Sequence, residues 1–438
     1  MNKMRRFMAI MAGCLTSLLI LAAGTNYLID PYGIFGSPRI AHINKDKTQA
    51  IDQPYLAKAY LVETVNPTTL LIGDSRVDVG LNPTSSDWRS DFKPVFNLAI
   101  PGNGLPEHLR YLQHAFATLH PKVVIVGLSF DDCFVWPGAP RNVDQDPMVD
   151  QNSRLNGGNA TSLRIWLARI KDFTFALLSL DALEDSMMTV FNQNNPYRPH
   201  MTALGWHSAG DFRGSVDAEG YYNVVMAKDR NRVNTLLEWS RTSQFDLSPL
   251  ETIITLSAAH NSKVIIFTPP SYIDEFEIMK QIDTLEIYNL WKRKLVDIVH
   301  RASNSGNDVS LWDFNEINGY SNETLPSPAD RAQKMRWFWE TNHFKAELGD
   351  RIIVSLMGGQ RSEFGVKLTS ENIERQIALV HDRLLEFEQA HQQDVDRIAG
   401  LVSASMSSRC LPDPMSCSVF WKEHLTNARV AIGAAAMH

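Results

Sequence analysis

The chain has 438 residues, of which 44% are hydrophobic, and a formal net charge of -7. That length admits two or three domains, or one enlarged α/β domain, with ample apolar content for a large core. The acidic balance argues against a nucleic-acid binder, which normally carries excess positive charge.

The N-terminus sets Lys3, Arg5 and Arg6 before an uncharged apolar run from Phe7 to Ala23. As a helix rising ~1.5 Å per residue, that run reaches roughly 25 Å, workable for a bilayer core with snorkelling flanks. Residues 1–6 are therefore assigned as a cytoplasmic basic stub and 7–25 as a transmembrane signal-anchor that sends the remainder across the membrane. The alternative is a signal peptide cleaved after "LAAG". A lipoprotein signal at Cys14 fits poorly, because apolar sequence from Leu18 to Ala23 follows it. Cysteine usage suits export: Cys410 and Cys417 in "RCLPDPMSC" either close a tight loop by a disulfide or stay as thiols, and Cys133 is expected to be single.

Five segments read as buried strands: 68–73, 94–100, 122–130, 263–268 and 309–314. They are rich in β-branched or aromatic residues and mostly continuous rather than alternating, as strands buried on both faces should be. Helical patterns separate several of them, at 106–119 (opening on Pro106 and Glu107), 248–260 and 285–301. The repetition predicts an α/β domain over 26–358: a three-layer α/β/α sandwich on a five-stranded parallel sheet. The segment 134–247 interrupts this rhythm as a large insertion, either a cap over one sheet edge or surface elaboration. Residues 359–438 form a C-terminal helix and tail, with Ile373, Ile377, Val380, Leu384 and Phe387 in a narrow apolar stripe. Such a stripe packs back onto the domain or docks a partner helix, the former being preferred.

The chemistry gathers where the first strand ends, in "TTLLIGDSRVDVGLNP". Ser75 stands at the carboxyl edge of the sheet, where open α/β folds place ligands. A serine hydroxyl needs a base, and the base needs a third group to fix its tautomer. His343, just ahead of an amphipathic helix running to about residue 357, follows Glu340 by three positions and suits both needs. Asp74 is expected to stabilise the turn. Arg76 either binds a substrate carboxylate or phosphate or, preferably, pairs with the nearby Asp78. Asp131 and Asp132 lack a histidine or third carboxylate at ligand spacing, so no metal is expected. Trp206, Trp337 and Trp339 either stack on sugar rings or, more often for such residues, pack the core.

"GDSR" after the first strand, "NLAIPGNG" after the second and the Glu-x-x-His before the last helix together resemble the SGNH (GDSL-like) hydrolase superfamily, with a flavodoxin-like sheet. The resemblance covers roughly residues 60–135 and 250–358. It implies Ser75 as nucleophile, His343 as general base and Glu340 as the acid that orients it. It also implies an oxyanion hole from the backbone N–H groups of Ser75 and Gly102. The superfamily's asparagine after the third strand is replaced here by Ser129 in "GLSFDDC", so Ser129 or Asn103 would supply the remaining donor. The single anchor and "NYLIDPYGIF" are similar to the membrane-tethered, extracytoplasmic branch that includes bacterial polysaccharide O-acetylation proteins. That likeness implies a periplasmic catalytic domain on the inner membrane, a polysaccharide acceptor, a membrane-embedded acyl-donor protein and no cofactor. An esterase or deacetylase with the same triad, or a catalytically silent scaffold, are the rival expectations.

Overall fold

The computed structural model describes residues 3–134, 152–158, 161–239, 246–358 and 364–409. Cys410 and Cys417, and most of the Asn- and Gly-rich loop expected at 143–160, lie outside the described residues. The first element, α1 (Lys3–Ile29), has 27 residues and is long and apolar enough to cross a membrane, as an anchor or a signal sequence. The fold then enters through α2 (Pro54–Thr64), begun by a proline whose missing N–H costs nothing in a first helical turn.

The sheet is built from β1 (Thr69–Ile72), β2 (Val95–Asn97), β3 (Val123–Gly127), β4 (Lys263–Thr268), β5 (Val309–Asp313) and β6 (Val366–Leu368). Their spatial order is β2-β1-β3-β4-β5-β6. The first five run parallel, with Leu70 opposite Phe96 and Val124, and Ile266 opposite Val126 and Leu311. Four intervening helices return the chain between successive parallel strands: α3 (Ser75–Gly80), α4 (Leu105–Phe116), α9 (Ser248–Ala259) and α11 (Leu285–Asn304). The sheet corrects the expectation of five parallel strands: it has six and is mixed, because β6 pairs antiparallel with β5. Three residues centred on Lys367 carry no periodic signal, and β6 forms where the chain meets the open edge of β5.

Between α4 and α9 the insertion contributes α5 (Ser162–Leu178), α6 (Leu180–Phe191), α7 (Gly210–Glu219) and α8 (Tyr221–Trp239). Beyond β4 come α10 (Asp274–Gln281) and, after β5, α12 (Ala346–Leu356), α13 (Ile373–Ala390) and α14 (Gln392–Arg409). The C-terminal stripe turns inward: Ile373, Val380, Leu384 and Phe387 are buried, and Arg293 of α11 makes a paired bond to Glu374 of α13. Arg397 of α14 grips both carboxylate oxygens of Asp274 at 2.8 and 2.7 Å and reaches Asp229 of α8 at 3.1 Å.

Two close approaches decide where the functional loops stand. Gly73, at φ 153°, ends β1 where a side chain would meet Val77 Cγ2 at 2.5 Å and the Gly127 carbonyl oxygen at 2.7 Å. Farther on, α12 lies so near α3 that a methyl group at Gly349 would stand 1.9 Å from the Gly80 carbonyl oxygen. The Phe344 ring fills the space beside Gly80, where an added carbon would sit 2.1 Å from it. Gly349→Ala is therefore expected to overpack this contact, costing about 1–3 kcal/mol in chemical denaturation. A denaturation midpoint equal to that of the natural protein would show that the two helices are free to part.

Candidate functional site

The carboxyl ends of β1, β2 and β3 share one rim, and backbone bonds tie their loops together. The Ile100 N–H donates to the Gly73 carbonyl at 2.9 Å, and Leu128 N–H to the Phe267 carbonyl at 2.8 Å. Asp74 caps α3 by accepting from Arg76 N–H at 2.9 Å, so the helix begins at Ser75. As its first residue, Ser75 has a backbone N–H with no partner inside the helix. From Thr69 to Leu81 every residue is buried except Ser75, which keeps an opening to solvent. Asn97, which the sequence did not single out, locks α3 from below: its Nδ2 donates to the carbonyls of Val77 at 2.9 Å and Leu81 at 3.1 Å.

His343 arrives on a tight loop before α12. Glu323 holds the start of that loop, accepting from the N–H groups of Arg336, Trp337 and Phe338 at 2.6, 2.9 and 3.0 Å. The Trp339 N–H donates to the His343 carbonyl at 2.9 Å and Lys345 N–H to the Trp337 carbonyl at 2.8 Å, closing a small hairpin. Trp337 packs edge-on against Tyr320 with ring centres 4.9 Å apart, while Trp206 donates its indole N–H to the Val79 carbonyl at 2.9 Å.

The two loops meet. His343 Nε2 lies 2.7 Å from Ser75 Oγ, across 268 positions of sequence, and His343 Nδ1 bonds to Glu340 Oε1. With Nδ1–H given to the carboxylate, Nε2 is left as the basic nitrogen facing the hydroxyl. Glu340 Oε2 also accepts from the Asn342 N–H at 2.8 Å, and Lys228 Nζ of α8 stands 3.6 Å from Oε1. Burial by itself raises the Glu340 carboxyl, but Lys228, the His343 ring and the Asn342 amide outweigh it and hold the acid well below its ordinary 4.5. The insertion thus reaches the site. Besides Lys228, it supplies Asp229 to Thr341 Oγ1 and Phe212 of α7, whose ring centre is 4.8 Å from that of His343. These contacts put two helices of the insertion against the histidine loop.

The other expected donors separate. Asn103 takes the Tyr55 hydroxyl on its Oδ1 at 2.7 Å, while its Nδ2 is buried with no partner among the described residues. A buried, oriented and unpaired N–H2 group costs free energy unless something accepts from it. Gly102 adopts φ 74° with open space beside it. Ser129 does not keep a free hydroxyl: Oγ donates to Asp74 Oδ2 at 2.8 Å and its N–H to Asp132 Oδ2 at 2.8 Å. Ser129 braces the capping acid instead of facing Ser75.

The pairing expected between Arg76 and Asp78 does not form. Asp78 is taken by the fully buried Lys58, whose Nζ also reaches the Ala99 carbonyl, each at 2.5 Å. Arg76 turns to Asp131 at 3.3 Å and Asp74 at 3.8 Å. Asp131 is in turn gripped by both terminal nitrogens of Arg232 at 2.8 and 2.9 Å, and Arg232 also bonds Glu275. Among the described residues no group of three or more His, Cys, Asp or Glu is placed to hold a metal. His108, buried with both ring nitrogens unpartnered among the described residues, is pushed down to about 4 by burial, against the charge of Asp74. It is neutral at neutral pH.

No family model, curated protein or solved structure matches this chain.

Because the Glu340 carboxyl titrates lower when folded than its ordinary 4.5, its contribution to stability is complete above that pH and fades as the pH falls toward the lower folded value. Glu340→Gln is expected to lose stability against the natural protein at pH 7, with the gap narrowing as the pH drops below 4.5. Urea denaturation across that range measures it; a gap that stays constant would mean the acid is not held charged by its neighbours.

Proposed function

We propose that this chain is a serine acyltransferase of the SGNH type, with a three-layer α/β/α core held by α1 to a bacterial inner membrane and working on its outer face. One observation carries this: a solvent-reachable serine, a histidine and an acid in hydrogen-bonded sequence, Ser75, His343 and Glu340. That order of groups activates a hydroxyl as a nucleophile. The sequence resemblance described above adds the reaction class and the polysaccharide acceptor.

In this reading Ser75 Oγ attacks the donor's acyl carbonyl while His343 Nε2 takes the hydroxyl proton. Glu340, kept ionised by Lys228 and the Asn342 N–H, stabilises the imidazolium without taking its proton. The carbonyl oxygen becomes an oxyanion, and the unpaired Asn103 Nδ2 with the N–H groups of Ser75 and Gly102 would receive it. Collapse expels the donor's leaving group, which carries off the proton from His343 and leaves an acyl-serine. A sugar hydroxyl, deprotonated by the same nitrogen, then attacks the acyl carbon and releases Ser75 with its proton restored. A polysaccharide hydroxyl is the favoured acceptor on the sequence resemblance, and Phe212 of α7, packed on the imidazole, supports it by covering one side of the base.

A fluorophosphonate probe is expected to label the purified protein and to label neither Ser75→Ala nor His343→Ala. Incubated with an activated acetyl ester and oligosaccharide, the protein should yield acetylated sugar in excess of free acetate. Acetate alone would mark an esterase, and absence of both labelling and turnover would mark a silent subunit. Asn103→Ala, which keeps the triad, should lower kcat by about 10²–10³-fold, the cost of one oxyanion donor. A change confined to KM would remove Asn103 from that role.

A further inference from the structure

Two helices of the insertion are turned inside out. α5 buries Asp172, 8% exposed, which takes a paired bond from Arg154 at 2.6 and 3.0 Å and accepts from the Tyr60 hydroxyl at 2.8 Å. Its Arg169 likewise turns to Glu63 of α2, with Nη1 at 3.0 Å from Oε2. The apolar side chains Leu163, Trp166, Leu167 and Ile170 stand outward, Trp166 at 58% exposure. α6 repeats the pattern: Ser186 and Thr189 are fully buried, while Leu180 and Phe191 are 79% and 80% exposed. A helix facing water does the reverse. Asp172 and Arg169 of α5, and Asp185 and Ser186 of α6, are bonded on the inner side, so neither helix can roll over without leaving those groups unpaired.

The membrane helix joins this surface. Near the end of α1, Asn26 is fully buried between α5 and α6: its Nδ2 donates to the Leu177 carbonyl at 3.0 Å, and its Oδ1 accepts from Ser186 Oγ at 3.0 Å. Phe35 stacks on Phe173 with ring centres 5.7 Å apart, and Tyr32 on Phe175 at 6.1 Å. Asn26 lies three residues before the end of α1, about 5 Å along a helix axis, so the α5–α6 corner stands level with its last turn. Tyr27 and Leu28 of that turn are exposed beside the corner. The apolar face is thus continuous with the exposed surface of the spanning helix.

We infer that α5 and α6 form a second membrane contact, a hairpin lying in the headgroup boundary with its apolar face in lipid. Trp166 suits that depth, and α5 exposes Arg164 and Lys171 along the same helix, with no acid before Asp172, as an anionic lipid surface favours. Asp181 and Glu184 of α6 remain exposed, which fits a helix at the boundary rather than one immersed in hydrocarbon. The inference requires α1 in the bilayer and is independent of the chemistry proposed for Ser75.

The full chain, reconstituted into phosphatidylethanolamine–phosphatidylglycerol vesicles doped with lipid brominated on its acyl chains, tests it by tryptophan emission. Bromolipid is expected to quench the natural protein, and Trp166→Phe should lose most of that quenching. Leu180→Trp in the Trp166→Phe background should restore it. Quenching unchanged by Trp166→Phe, together with none gained at Leu180→Trp, overturns the inference and leaves the face to a protein partner. Leu18→Trp, within α1, reports insertion; its failure to be quenched overturns the inference equally, since the hairpin would then have no bilayer to meet.

Discussion

Where α12 crosses α3, two backbones touch with no side chain between them, Gly80 against Gly349. One of these helices starts with Ser75; the other begins three residues after His343. A hydrogen bond between a hydroxyl and a ring nitrogen survives only over a few tenths of an ångström, so helix spacing sets whether the two side chains meet. Any residue larger than glycine at that crossing would widen the gap. The other restraints, Asn97 beneath α3 and Glu323 at the head of the histidine loop, orient the partners once the spacing is set. Precision in this site comes from rigid elements pressed together, and the loops contribute little slack.

Charge is managed by enclosure. Around the rim, Lys58 meets Asp78, Arg76 and Arg232 share Asp131, and Lys228 stands by Glu340. In a low-dielectric interior each of these ions would be costly alone, and each has an opposite partner within reach. Most members lie on different elements: α2 with α3, the β3 loop with α8, and α8 with the histidine loop. The charges therefore fasten the insertion to the core as well as neutralising one another. The Asn103 amide is one of several buried polar groups near the site without a partner among the described residues, His108 and Asn342 being others. Asn103 is held by Tyr55 on its oxygen side, and its nitrogen has no partner among the described residues.

Much of this was legible in the sequence, for identifiable reasons. Continuous β-branched runs such as "KVVIVG" and "KVIIFT" occur because strands covered on both faces need no polar side, and they became β3 and β4. The short acid-to-histidine spacing could be read because both residues lie on one loop. What escaped was set by distance. Lys228 and Asp229 sit mid-helix in an insertion without strand rhythm, more than a hundred residues before the loop they touch. Arg76 was matched to Asp78, its neighbour in sequence, yet a buried lysine from α2 claimed that acid first. Ser129 stands in sequence where a replacement donor would, but Asp74 occupies its hydroxyl. β6 is three residues long and owes its existence to an edge already formed.

Asn26 gives the N-terminal helix an unusual standing. A spanning helix joined to its domain by a supple linker acts as a leash, letting the domain tumble over the bilayer. Here its last turns are bonded into the domain at Leu177 and Ser186, and the segment that follows is stacked ring on ring against α5. The helix behaves as a mast. Were α1 to span a bilayer, the opening beside Ser75 would point along a fixed bearing at a fixed height above the lipid, and whatever reaches it would have to be delivered to that spot.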